Sequence, residues 1–300
     1  MRLVRHLLAG VVAAAAVTSI PVGSDAAPLA APRVPVHVMP TLVHRPLVHR
    51  PASSDPITYH GGAVMTGKVK VYVVWYGSWT GGARSNRRTI VTDFMRHLDS
   101  PYWAINHTYT NAKGASVGAA PTLSTQIDDQ GSVGTSQLSD AQIQQVVRNA
   151  VVARSLPRDT AGIYLVITSS AVTKQGFLTQ YCGWHSHTTV QGSSLKFSFI
   201  GDPSGPKVRN CSPQTASPNG DVGADAMAST IAHELSETVT DPTMRGWYSA
   251  RGEENADRCA WQYGKVFASG GGRANVHLGT RDYLVQTNWV NDASPHCAMS

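Results

Sequence analysis

His233, Glu234 and Glu237 spell H-E-x-x-E inside the stretch SPNGDVGADAMASTIAHELSETVTDP, residues 217–242. Asn219-Gly220 signals a turn and Pro242 a stop, so the residues between them read as one helix. At about 100° per residue, Met227, Ala228, Ile231, Ala232, Leu235 and Val239 share a broad apolar face. His233 and Glu237 fall together on the other side, one turn apart, where an imidazole and a carboxylate can point at one metal ion. Glu234 is rotated to the side of that pair. Its carboxylate can reach a water bound to such an ion rather than the ion itself, which is the place of a catalytic general base. The string is the zinc motif H-E-x-x-H with its second histidine exchanged for a carboxylate. The competing reading is a solvated helix face with a stray histidine.

The glutamates of the 300-residue chain are Glu234, Glu237, Glu253 and Glu254, all on this helix or shortly after it. An acidic cluster in a glutamate-poor chain needs a reason, and Gly252-Glu253-Glu254-Asn255-Ala256-Asp257-Arg258-Cys259 is the expected source of a third metal ligand, the alternative being a solvated loop. Asp257 ranks first, Glu254 second, and Asp241, at the end of the helix beside Pro242, third. Zn2+ is the ion this donor set suits. In Cys182-Gly183-Trp184-His185-Ser186-His187, the two histidines share a face if the segment is a strand. They could complete the metal's surroundings, donate to a developing oxyanion, or hydrogen-bond beside a disulfide. Ser186 and His187 make no nucleophilic dyad, because neighbours on a strand point apart and no G-x-S-x-G elbow occurs.

The elements that must position these groups follow from hydrophobic pattern. Lys68–Tyr76 and Ala161–Ser169 read as buried strands. Asn86–Leu98 is an amphipathic helix, with His97 structural at its edge, and Ser139 caps a second helix over Ala141–Ser155. Trp103–Thr110 alternates weakly and is expected as a strand, Ser116–Asp128 as a short one, and Leu195–Ile200 as an edge or hairpin strand. The order is α+β: a twisted mixed sheet with backing helices and a metal-binding helix, compatible with the zincin metallopeptidases.

Arg2 and Arg5 precede the apolar run Leu7–Ile20, followed by Ser24-Asp25-Ala26, so residues 1–26 read as a secretory signal peptide. The run is too short to span a bilayer, and no later stretch is long enough, so the mature chain is expected to be secreted and extracellular. Residues 27–56 are proline-rich, without cysteine or aromatic side chains, and repeat Leu42-Val43-His44-Arg45-Pro46 as Leu47-Val48-His49-Arg50-Pro51. They read as an extended linker or a pro-segment, with His44 and His49 on a basic tail rather than in a metal site. Residues 57–300 are then one domain. The net charge of +6 is mild, and half of it sits on residues 1–56, so nucleic acid is not an expected partner. Cys182, Cys211, Cys259 and Cys297 suggest two disulfides in an exported chain. Of the three connectivities, Cys182–Cys211 with Cys259–Cys297 closes moderate loops and is the one expected.

YHGGAVMTGKVKVYVVWYGSW, the Cys182-Gly183 turn and SPNGDVGADAM resemble the exordium, or phosphate-induced protein, family over roughly residues 58–298. The resemblance implies secretion to the cell-wall space and a link to growth and cell expansion, without a settled biochemical activity. Plant members typically lack the residues matching His233, Glu234, Glu237 and Asp257 while keeping a carboxylate near Glu254, which is what shared service to one ion predicts. The chain looks like a bacterial-type member that retains a zincin apparatus. Two functions are therefore expected as alternatives. One is a secreted zinc-dependent hydrolase, most simply a metallopeptidase acting on a peptide or protein substrate. The other is a non-enzymatic extracellular protein that binds wall polysaccharide or a receptor, with Trp79, Trp103 and Trp247 as aromatics that could stack on sugars.

Overall fold

The computed structural model describes residues 34–42 and 55–300. The run read as a signal peptide, and His44 and His49, lie outside the described residues. The architecture is α+β around a six-stranded mixed sheet in the order β1-β6-β7-β5-β3-β4. Its strands are β1 (His37–Pro40), β3 (Lys70–Tyr76), β4 (Thr122–Asp129), β5 (Ile163–Thr168), β6 (Tyr181–Val190) and β7 (Ser193–Gly201). The contacts β4–β3, β3–β5 and β5–β7 are parallel, whereas β7–β6 and β6–β1 are antiparallel.

Alternation along the strands divides the core in two. Val71, Val73 and Trp75 of β3, with Ile163, Leu165 and Ile167 of β5, pack against α1 (Gly82–Arg96) and the later helix α4 (Val222–Thr240). Tyr72, Val74 and Tyr76, with Tyr164 and Val166, face the other way onto α3 (Asp140–Val152). Near-continuous apolar runs are what a strand covered on both faces requires. Ser139 caps α3 in a full capping box with Gln142, as its sequence predicts.

Trp103–Thr110 is not a strand. Pro101–Ala104 forms a short helix, α2, and Ile105–Thr108 continues as a 3-10 turn. Ser100 accepts from the Trp103 amide with Pro101 at the first helical position, a start signal that outweighs the weak alternation after it. The segment around Leu195–Ile200 is one arm of a hairpin, and its strand, β7, lies inside the sheet between β6 and β5. The stretch read as linker or pro-segment supplies an edge strand, β1. The remaining strands pair in twos: β2 (Thr58–Tyr59) with β8 (Trp247–Tyr248), β9 (Phe267–Ser269) with β10 (Gly272–Ala274), β11 (Val276–Leu278) with β12 (Arg281–Tyr283), and β13 (Asn288–Val290) with β14 (His296–Ala298). A four-residue helix, α5 (Asn255–Arg258), precedes them after β8.

α4 is anchored at both of its ends. Asp221 caps α4 by accepting from the Ala224 amide, and the same carboxylate receives Arg87 Nε of α1 at 3.0 Å. Arg87 Nη1 also reaches Asp202, just past β7, at 2.6 Å. At the other end, Asp241 Oδ1 accepts from the amides of Arg245 and Gly246, turning the chain toward β8. Both predicted disulfides are present, Cys182–Cys211 and Cys259–Cys297. No helix among the described residues is long and apolar enough to cross a membrane.

Candidate metal centre

α4 is buried from Gly223 to its end, so the face carrying His233 and Glu237 is not the solvated face of the competing reading. Its polar residues are accommodated because Thr230, Thr238 and Thr240 bond back to carbonyls one turn earlier. The apolar side packs into the main core. The other side meets β6, α5 and β1.

β6 approaches α4 through Gly183, where an added Cβ would lie 2.5 Å from Thr230 Cγ2 and 3.1 Å from Glu234 Oε1. Two residues on, the same strand face presents His185. Its Nδ1 is 3.4 Å from Glu234 Oε2 and 3.5 Å from Glu237 Oε2, and its Nε2 is 3.6 Å from Glu254 Oε2. On α4 itself, His233 Nε2 lies 3.0 Å from Glu237 Oε1, the one-turn spacing of the motif made real. α5 delivers Asp257, whose Oδ1 is 3.4 Å from His233 Nε2 and whose amide donates to Glu237 Oε1 at 3.0 Å. Asp257 therefore joins the His233–Glu237 pair, whereas Glu254 stands across the cluster, facing the histidines of the sheet.

One member had no signal read from it in the sequence. His37 of β1 pairs with His185 of β6, with ring centroids 5.7 Å apart. Its Nδ1 lies 3.3 Å from Asp257 Oδ2 and its Nε2 3.7 Å from Glu254 Oε1. The signal available was the period-two run Val34, Val36, Val38 alternating with His37 and Met39, obscured by Pro35 and Pro40. Among the described residues, two sets converge closely enough to hold an ion, each ligand atom within 4.8 Å of the others: His37, Glu237 and Asp257, and His185, Glu234 and Glu237. Glu237 belongs to both.

Buried polar atoms in proteins are almost always hydrogen-bonded. Here both nitrogens of His185 and of His233, both carboxylate oxygens of Glu234 and of Glu254, Glu237 Oε2 and His37 Nδ1 have no hydrogen-bond partner. Imidazole nitrogens and carboxylate oxygens are donors that zinc takes, so the residues of these two sets would fit such an ion.

The charges are strongly coupled. Burial opposes the charge on His185, but the carboxylates of Glu234 and Glu237 outweigh it and push the imidazole up to about 9. His233 is likewise held well above the ordinary imidazole range, with burial opposing and Glu237 prevailing. Burial pushes Glu234 up to about 7. Glu237 is held below the usual carboxylate range, since His233 and His185 outweigh its burial. Burial and the nearby Glu237 charge raise Glu254 well above that range.

The other candidates sit elsewhere. His187 is half-buried opposite Lys196 on the hairpin and touches none of these carboxylates, with burial lowering its pKa. Asp241 is committed to its turn through Oδ1. Trp79 and Trp103 are buried in the core, so neither presents a free stacking face of the kind sugar binding needs, while the half-buried Trp247 donates its indole N–H to the Thr110 carbonyl at 2.8 Å. A cleft of about 410 Å³ lined by Gly264, Lys265, Phe267, Cys297 and Met299 includes none of the clustered residues.

Residues 57–280 match the family described as "Phosphate-induced protein 1 conserved region". The chain is 29% identical over 282 residues to Protein EXORDIUM-like 3 of Arabidopsis thaliana, covering 79% of this chain and 81% of that one. It is 28% identical to Protein EXORDIUM of the same plant, covering 71% and 77% of the two chains. Protein PHOSPHATE-INDUCED 1 of Nicotiana tabacum is 28% identical, at 70% and 73% coverage. No solved structure matches the chain.

Proposed function

The chain belongs to the phosphate-induced protein 1 family, and from the cluster built into its fold we propose that it is an exported zinc-dependent hydrolase acting on peptides, a metallopeptidase of zincin type. The observation that carries this reading is the set of buried, unpartnered imidazole and carboxylate atoms gathered around Glu237. A purely structural cluster would satisfy its polar atoms with one another, because each buried orphan is costly.

His233, Glu237 and Asp257 would hold the ion, drawn from α4 and α5. When bound, zinc supplies a Lewis acid that polarises a carbonyl and brings the pKa of a bound water toward about 7. Glu234 takes a proton from the attacking water at a carboxylate oxygen and returns it to the departing nitrogen. Its pKa, pushed up to about 7 by burial, suits a group that must both accept and donate. His185 faces Glu234 from the strand side, its Nδ1 3.4 Å from Oε2. The Asp257 amide fixes one oxygen of Glu237 and leaves the other, Oε2, without a partner. Export is supported by the leader-like residues 1–26 and by the two disulfides.

Elemental analysis of the dialysed protein tests the reading, with near-stoichiometric zinc expected in the wild type and little in His233→Ala. Glu234→Gln should keep its zinc and melting temperature while peptide hydrolysis falls by at least about 10²-fold. Loss of zinc in Glu234→Gln would make that residue a ligand, and unchanged hydrolysis would place the activity elsewhere.

A further inference from the structure

Resting on the zinc reading, we propose that strand β1 is a built-in occupant of the peptide cleft, with His37 as an additional metal ligand that leaves when the N-terminal segment is cut away.

β1 lies where an extended substrate would lie. It adds antiparallel to β6 at the edge of the sheet, directly beside the catalytic cluster. Strand addition to an exposed edge is a general mode of peptide recognition, in which backbone bonds give affinity and alternate side chains enter pockets. The alternation fits that mode. Val34, Val36 and Val38 pack toward the core behind the sheet. Met39, opposite Gly183, is fully buried against the Cys182–Cys211 disulfide, Ala260 and Trp261. His37, opposite His185, enters the metal cluster from the same face as Met39.

His37 also stands at the mouth. The side chains of His185, His233, Glu234, Glu237 and Glu254 are all but fully buried, while those of His37 and Asp257 remain 22% and 12% exposed. These two residues are therefore the most exposed members of the cluster. His37 Nδ1 has no hydrogen-bond partner and forms a convergent set with Glu237 and Asp257. An ion held there would take His37 as a ligand in competition with a substrate carbonyl or a water.

The strand is held by bonds that any extended peptide could reproduce. The Pro35 carbonyl accepts from Ser186 Oγ, the Pro40 carbonyl from the Trp261 indole at 3.1 Å, and the Thr41 amide donates to the Gln180 carbonyl at 3.1 Å. No disulfide ties it down, since the cysteines of the chain are all at position 182 or later. Hydrolysis by an external peptidase of one peptide bond between β1 and the body leaves the strand held by non-covalent contacts alone. The substrate class follows: an extended peptide running antiparallel to β6, with a flexible apolar side chain in the place of Met39.

The test uses the full chain with Co2+ exchanged for zinc and reads its visible spectrum with and without azide. In the wild type, azide should leave the spectrum unchanged. In His37→Ala the metal should stay near one per chain, the bands should shift, and azide should bind. Met39→Lys, which lifts the strand without touching His37, should behave like His37→Ala. A chain carrying a specific protease site within residues 43–54, cut after folding, should do the same once the fragment separates on gel filtration. Identical spectra and azide responses in the wild type and His37→Ala would overturn the proposal while leaving the zinc reading intact. Loss of metal from His37→Ala would make His37 a permanent ligand, and a cut fragment that never separates would show that the strand is not removable. Either result overturns it. Wild-type protein that takes up no stoichiometric metal would overturn the zinc reading itself, and this proposal with it.

Discussion

Burying a carboxylate is costly in a protein interior unless it is paired and hydrogen-bonded, and Glu234 and Glu254 are each fully buried with imidazole nitrogens 3.4 Å and 3.6 Å away but neither oxygen hydrogen-bonded. A divalent cation removes that cost for the groups that face it, which makes metal binding and stability one quantity here. The metal-free protein should show the cost as a pH dependence. His185 in the fold titrates near 9, above its unfolded value of 6.5, so its stabilising contribution is complete below 6.5 and is lost as pH rises through 9. Glu234 acts in the same direction, its folded value of about 7 lying above its ordinary 4.5. Glu237, held low, gives the opposite dependence, but only as pH falls below the carboxylate range. Chelated protein should therefore lose melting temperature steadily between pH 5 and 9. Zinc-loaded protein should not, because its ligands bind the ion by giving up protons and affinity rises with pH. Parallel melting curves for the two forms would contradict this. The ligand ranking has its own check: Asp257→Ala should bind zinc far more weakly than Glu254→Ala, since Asp257 reaches His233 and Glu237 together while Glu254 faces His37 and His185.

At the scale of elements, the sequence was most legible where local chemistry decides. The Ser139 cap and the strands β3 and β5 are written in short-range pattern, and their ends fall within a few residues of expectation. The H-E-x-x-E spacing placed His233 and Glu237 together because a helix is locally determined. What was not legible depends on distant partners. β1 becomes a strand only because β6 offers it an edge, and its flanking prolines read locally as linker, although an edge strand tolerates them. His185 could be assigned a face but not an occupant, since that face meets α4 through a glycine contact no local pattern announces. The contact makes a prediction. Gly183→Ala puts a methyl within 2.5 Å of Thr230 Cγ2 and beside Glu234 Oε1, so the strand and the helix must separate. Overpacking of this kind costs about 1–3 kcal/mol, to be read from denaturant unfolding. Because the clash also lies on Glu234, hydrolysis should fall by more than the zinc content does.

Across the whole molecule, the cluster is assembled from three separate places: the sheet edge, the central helix and the short α5. The first two are supported by their own hydrogen-bonding neighbours. β6 is paired on both sides, and α4 is fixed at its ends by Arg87, Asp221 and Asp241. α5 is different, because four residues cannot hold a helix unaided, and Asp257 sits on it. Its anchor is the next residue but one: Cys259, buried in the main core and bonded to Cys297 of β14. The Cys182–Cys211 bond, by contrast, begins on a strand already held by β1 and β7. Removing either native disulfide should lower stability by roughly 2–5 kcal/mol. The consequences for the metal should diverge. The double variant Cys259→Ser/Cys297→Ser should release zinc to a chelator markedly faster than the wild type, because Asp257 loses its fixed position. Cys182→Ser/Cys211→Ser should release it at close to the wild-type rate, measured at a temperature where both variants remain folded. Equal release rates in the two variants would mean that α5 is held by its contacts with α4 alone, and that the disulfide stabilises the fold without positioning the ligand.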